Sequence, residues 1–193
     1  MKDRIFFPLA LLLALGMVML AIWPAIGRLP DGAVTGDGSN YDLITVEGEF
    51  LNKVLAGGDA ITELARDSDG DYLLYIEAQA GLLGPDAEEG PHFRLASDLE
   101  VQFSGHRIRC TVRMRPADQK GAMQAKVNYS VGRDGDSGWQ VFDLAQGFED
   151  FSFEYVVPDH IGDQGFDYFA IRPVVPEKSR ALLVERITFE RVG

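Results

Sequence analysis

Cysteine is nearly absent. Cys110 is the single cysteine among 193 residues, so no internal disulfide can form and Cys-based zinc and redox motifs are excluded. Its alternation with Ile108, Val112 and Met114 marks it as a buried small hydrophobe rather than a reactive thiol. Histidine is scarce too: His92, His106 and His160 lie in separate segments without the spacing of a zinc site. Neither a G-x-S-x-G elbow nor a phosphate-cradling glycine loop occurs. Carboxylates are plentiful, 30 in all, but sequence selects no pair among them for acid–base work. No set of groups converges on catalysis, and the chain is read as non-enzymatic.

Positive charge is also in short supply, with 18 Lys and Arg against 30 Asp and Glu. Residues 1–28 hold Lys2, Arg4 and Arg28 against Asp3, a net of +2; the chain's −12 therefore leaves −14 on residues 29–193. Such a domain is repelled by nucleic acid and by anionic lipid surfaces, so neither is expected as its partner.

Long apolar runs are missing with one exception. Ile5 to Gly27, 23 residues, carries no charged side chain and follows the basic start Met1-Lys2-Asp3-Arg4. At 1.5 Å per helical residue it can cross a hydrocarbon core of about 30 Å. Residues 1–28 are therefore expected to form a single N-terminal transmembrane signal-anchor. Lys2 and Arg4 favour a cytoplasmic N-terminus, which places the main domain on the periplasmic, extracytoplasmic side. A cleaved signal is the competing reading. It requires a shorter apolar region and a small-residue site, and cleavage after Ala25 would put Trp23 where a small residue is needed. Pro8 and Pro24 lie near the ends of the run, and Trp23 suits the interfacial belt. Residues 29–40, rich in Gly, Pro and small polar residues with no apolar period, are expected to be a flexible linker.

The remainder, 41–193, reads as one β domain large enough to bury a core without disulfides. Tyr72 to Gln79 is β-branched and aromatic between Asp/Gly turns. His106 to Pro116 alternates strictly, with Ile108, Cys110, Val112 and Met114 on one face. Met123, Ala125, Val127, Tyr129 and Val131 alternate next; Trp139–Leu144, Phe148–Val157, Phe166–Val175 and Ala181–Val192 supply further strands. Val46 to Arg66 is ambiguous between a short helix and an edge strand. Turn signals recur every 8–15 residues, as in a sandwich or jelly roll rather than in βαβ units.

Several segments carry a family resemblance: Asp69-Gly-Asp-Tyr-Leu-Leu-Tyr-Ile76, Gly105 to Arg115, Ser137-Gly-Trp-Gln-Val-Phe142, Phe151 to Pro158 and Leu183 to Glu190. In order and spacing the chain resembles the jelly-roll carbohydrate-binding modules of galactose-binding-like fold over most of residues 43–192. The resemblance implies an all-β jelly-roll sandwich, non-catalytic glycan binding through exposed aromatics, and a structural calcium near the first and last strands. Many members have Asp in the closing strand where this chain has Glu185, which puts that calcium in question. No other cofactor is implied.

If the apolar alternation of the central strand points inward, Arg107, Arg109, Arg113 and Arg115 point outward with Thr111. Guanidinium forks suit carboxylates, so this face is a candidate site for an acidic polysaccharide or an acidic partner segment, with Lys126, Arg172 and Arg186 extending it. Cross-strand acids such as Glu154, Glu190 or Asp150 could instead neutralise it, a routine sheet device. Trp139, Phe142, Phe151, Phe153 and Phe169 fall on apolar periods and are expected in the core. Tyr75, Tyr129 and Tyr168 suit a wet edge, Tyr168 first, as a stacking platform.

Asp67 to Asp71 spaces carboxylates as calcium prefers but lacks an EF-hand's Gly and Glu positions. Asp134 with Asp136, and Asp159, His160 and Asp163, are turn clusters. The functional expectation is a membrane-anchored, extracytoplasmic glycan-binding module; the alternative is a protein-interaction or scaffold subunit of a cell-envelope assembly.

Overall fold

The computed structural model describes residues 3–22, 27–36, 38, 40–160 and 165–193. The N-terminal run forms helix α1 (Asp3–Ile22), with Pro8 inside it. Trp23 to Ile26, which include the expected belt residue and the weighed cleavage site, lie outside the described residues. Among the described residues no helix is long and apolar enough to cross a membrane.

The rest is β-structure in two antiparallel sheets. One has the order β2 (Ile61–Arg66), β3 (Tyr72–Gln79), β10 (Ser179–Arg191), β5 (Arg107–Pro116), β8 (Glu149–Val156), with β1 (Leu43–Glu47) also pairing β10. The other runs β4 (His92–Arg94), β9 (Tyr168–Pro173), β6 (Gln124–Ser130), β7 (Gln140–Asp143). This is the expected jelly-roll sandwich. A short helix α2 (Ser97–Phe103) precedes β5.

Alternation decides which side chains meet between the sheets. Ile108, Cys110, Val112 and Met114 of β5 are buried, as are Ala125, Val127 and Tyr129 of β6. Phe189 of β10 is a hub: its ring lies 5.0 Å from Phe169 of β9, 6.4 Å from Tyr129 and 6.3 Å from Phe103 of α2. Each such fully buried ring contributes roughly 1.5–3 kcal/mol of hydrophobic stabilisation. The Cys110 thiol sits in this core and burial raises its pKa well above the ordinary value, which suits the small hydrophobe read from sequence.

Val46–Arg66 combines both expected alternatives: the end of β1, a 3₁₀ turn over Gly48–Lys53 burying Leu51, then β2. Met123, expected to point inward, is 77% exposed because β6 begins only at Gln124.

The segment read as a flexible linker is partly docked on the domain. Val34 is buried and bridges Leu95, its N–H donating to Arg94 O while its carbonyl accepts from Ala96 N. Gly36 N donates to the Asp98 carboxylate, Asn52 holds Pro30 O and Lys53 holds Ala33 O. Composition announced a loop. It could not show that one valine in that loop fills a core position.

Candidate functional site

Four arginines stand in file on the outer face of β5, where alternation puts them. Each meets carboxylates. Arg109 donates to Glu154 at 2.8 Å and to Glu190 at 3.0 Å; Arg107 reaches Glu154 at 3.5 Å. Arg113 bonds Glu185 at 2.7 Å and lies 3.8 Å from Asp150, which also faces Arg186 at 3.6 Å. Arg115 bonds Asp118 at 2.7 Å and lies over the Phe148 ring. Five guanidiniums thus meet five carboxylates. Their hydrogen bond raises the pKa of Arg109 and lowers that of Glu154. The register explains the pairing, because Glu190, Arg109 and Glu154 are direct cross-strand neighbours. Between the charged rows runs a row of hydroxyls, Thr45, Thr188, Thr111 and Ser152. A ligand taking these arginines would first have to displace their acids.

Tyr168 lies on the opposite sheet. It shares the outer face of β9 with Ala170 and Arg172, because Phe169 and Ile171 point into the core. Lys126 and Arg172, expected to extend the arginine file, also belong to this second sheet, paired with each other in register; Arg186 alone of the three joins the file. Across the strands Arg94, Tyr168 and Ser130 form one row, His92, Ala170 and Asn128 a second, and Arg172, Lys126 and Val141 a third. The middle row is buried, with His92 7%, Ala170 0% and Asn128 3% exposed. Tyr168 and Lys126 stand at opposite ends, four residues apart along the ladder, about 13 Å at the usual strand rise.

Each group on this face has a local cause. His92 Nδ1 lies 2.7 Å from Gly90 O; a carbonyl can only accept, so Nδ1 carries the hydrogen and Nε2 is an acceptor in the neutral ring. Burial lowers the His92 pKa and keeps it neutral. The Tyr168 ring meets His92 edge-on at 5.1 Å. Phe166, 39% exposed, lies beneath the Arg94 guanidinium at 3.2 Å. The segment after β3 folds across the far end, held by Arg172, which donates to Gly84 O, Asp86 O and Ala87 O. Trp139 Nε1 bonds Pro85 O, and Lys126 and Arg172 lie 4.4 and 4.7 Å from its ring. Gly90 is needed here because a Cβ would come within 2.5 Å of Arg172 Nε.

Two aromatic expectations change. Tyr129, placed at a wet edge, is buried, its hydroxyl donating to Asp167 at 2.7 Å. Trp139, expected in the core, is half-buried, with the Lys126 and Arg172 cations 4.4 and 4.7 Å from its ring. Phe169 is in the core as expected; Phe142, Phe151 and Phe153 pack partly buried against it, and Tyr75 is tied to Glu77 at 2.6 Å on the other sheet. Sequence reasoning overlooked His92, Arg94, Asn128 and Ser130. The alternation of Lys126, Asn128 and Ser130 with Val127 and Tyr129 was a usable signal for two of them; three-residue β4 offered none.

Among the described residues no three metal-ligating side chains gather. Asp67 caps its own turn, accepting from Asp69 N and Asp71 N at 2.9 Å, and Asp136 does the same for Gly138 N. Asp163 lies outside the described residues. The calcium implied near the first and last strands does not fit: Glu185 is bonded to Arg113, and the cleft it lines with Glu47 and Asp71 is also lined by Arg66. A guanidinium already supplies the positive charge there.

The sheet order defines the fold: the chain has the jelly-roll fold found in the carbohydrate-binding modules. Among solved structures it is similar to the CBM22-2 xylan-binding domain of Paenibacillus barcinonensis Xyn10C, at TM-score 0.50 and 10% identity over 72% of this chain and 91% of that one. The CBM22-1–CBM22-2 tandem of the same protein gives TM-score 0.50 and 15% identity over 72% of this chain and 40% of that one. The arabinose-bound MgGH51 α-L-arabinofuranosidase gives TM-score 0.55 and 9% identity over 83% of this chain and 29% of that one. This chain likewise spans about a quarter (25%) of the Clostridium thermocellum Xyn10B CBM22-1–GH10 xylanase chain. Identities this low establish a shared fold alone. No protein-family model and no curated protein sequence matches the chain.

Proposed function

We propose that this chain is a non-catalytic glycan-binding module, held by its N-terminal helix on the extracytoplasmic side of a membrane, with the glycan lying along the outer face of the four-stranded sheet. The observation that supports this reading is the contrast between the two outer faces. On the six-stranded sheet every arginine of the file is matched by a carboxylate. On the four-stranded sheet the half-buried Tyr168 and Trp139 rings stand on either side of the buried row His92, Ala170 and Asn128, with Lys126 beside Trp139 and no carboxylate partner for it among the described residues. Rings that stack on sugar faces and sparse, positioned polar groups are the usual means of holding a glycan.

Anchoring rests on the 23 uncharged residues of Ile5 to Gly27, of which residues 5–22 lie in α1, with Phe6, Leu12 and Leu20 exposed. Lys2 and Arg4 orient it with the N-terminus cytoplasmic. Two measurements test the two halves. Affinity electrophoresis of the full chain through neutral and acidic polysaccharides should show retardation that Tyr168→Ala abolishes. Alkaline extraction of membranes should leave the chain in the pellet, with its main domain open to added protease only from the extracytoplasmic side.

The matched arginine face favours a second reading, a scaffold subunit of an envelope assembly. A charge-balanced surface with a row of hydroxyls suits a protein partner better than a small anion. Co-purification of a membrane protein that survives in wild type and is lost in Arg109→Glu would support it.

A further inference from the structure

Lys126 is out of pattern in this molecule. Arg172 beside it is committed: three loop carbonyls take its NH groups, and Asp86, Glu88 and Glu89 of that loop face it. Lys126 is half-buried, and what acts on it is desolvation and the like charge of Arg172, both of which lower its pKa; no carboxylate among the described residues offsets them. In a chain of net −12, whose file arginines are each matched, this half-buried ammonium has the Trp139 ring at 4.4 Å but no counter-charge against the guanidinium beside it. An anion brought against Nζ would supply one.

The surroundings suit such a group. Lys126 lines a cleft of about 200 Å³ whose other walls include Gly81, Leu83, Pro173 and Val174, carrying no acid. Pockets that bury drug-sized ligands hold roughly 300–1,000 Å³, so this one takes the substituent end of a sugar rather than a whole oligosaccharide. Beside the cleft the Trp139 ring lies 4.4 Å from Lys126 Nζ, with its Nε1 already spent on Pro85 O, which leaves an aromatic face rather than a donor. Lys126 is thus a cation of the cleft without a carboxylate partner among the described residues; Gln79 lines the cleft with it, and Arg172, whose NH groups hold the loop carbonyls, adds its positive field.

We infer that Lys126, with Trp139 and Arg172, forms an anion subsite at one end of the four-stranded face, which takes the carboxylate or sulfate of an acidic sugar. This rests on the glycan reading above and names the class of glycan.

The test uses the full chain in detergent, run through gels containing polygalacturonate, dextran sulfate or neutral xylan, with Lys126→Gln and Lys126→Arg beside wild type. The chain's own negative charge opposes non-specific retention by the acidic polymers. Wild type is expected to be retarded in at least one acidic gel, and which one assigns carboxylate or sulfate. Lys126→Gln should weaken that binding about tenfold or more, the scale of one charge-assisted contact. Lys126→Arg should keep it, and Trp139 fluorescence should shift on adding the retained acidic polymer to wild type. Retardation by xylan alone, or equal acidic retardation of wild type and Lys126→Gln with melting temperatures matched, overturns the subsite while leaving glycan binding intact. Retardation of wild type in no gel overturns the glycan reading and the subsite with it.

Discussion

Arg172 is 1% exposed and is the largest fully buried side chain of the domain, yet it bonds no carboxylate. Burial lowers its pKa, and its worth is positional: it fixes the carbonyls of residues 84, 86 and 87 over the edge of the four-stranded sheet's outer face. Arg172→Ala should destabilise by about 2–4 kcal/mol in urea unfolding, because the loop carbonyls lose their donors at once. Gly90→Ala should act in the same direction, since its methyl group would strike Arg172 Nε. Asp167 titrates in an unusual range. It is 1% exposed, and burial pushes its pKa up to about 6 despite the Tyr129 hydrogen bond, with Glu100 adding to the rise and His160 opposing it. An acid whose pKa is higher folded than unfolded binds its proton more tightly in the folded state. Its contribution to stability therefore grows as pH falls through 6 toward 4 and is lost above 6. Asp167→Asn should exceed wild type in stability at pH 8, by up to about 3 kcal/mol, and the gap should close by pH 4 in paired melting curves.

At the scale of elements, β5 has two faces of very different worth. Ile108 is completely buried, and Ile108→Ala should cost about 2–5 kcal/mol. Its neighbour Arg109 is solvent-exposed and salt-screened, so Arg109→Ala should change stability far less, and less again at high salt, as paired urea titrations would show. Alternation made both faces of β5 legible in the sequence, and most of the strands with it. It could not say which strands share a sheet, because that depends on register between segments far apart in the chain. Alternation alone therefore cannot separate the arginine file from Tyr168, Lys126 and Arg172, which belong to the opposite sheet. β4 and α2 stayed hidden because three residues show no period and α2 has no side-chain cap at Ala96. Val34 is a single apolar contact in a segment whose composition is that of a loop.

For the whole molecule, the two sheets differ in how their outer faces are charged. The six-stranded sheet balances its charges internally. The four-stranded sheet carries a ring, a neutral imidazole and an ammonium without a carboxylate partner among the described residues, in three successive rows of its outer face. The central claim is that a glycan lies along this second face, and affinity electrophoresis of the full chain with two variants tests it most directly. Wild type should be retarded by at least one polysaccharide, Tyr168→Ala should run free, and Arg109→Ala combined with Arg113→Ala should be retarded like wild type. Retardation that survives Tyr168→Ala but vanishes in the double arginine variant would put the ligand on the other sheet and contradict the account.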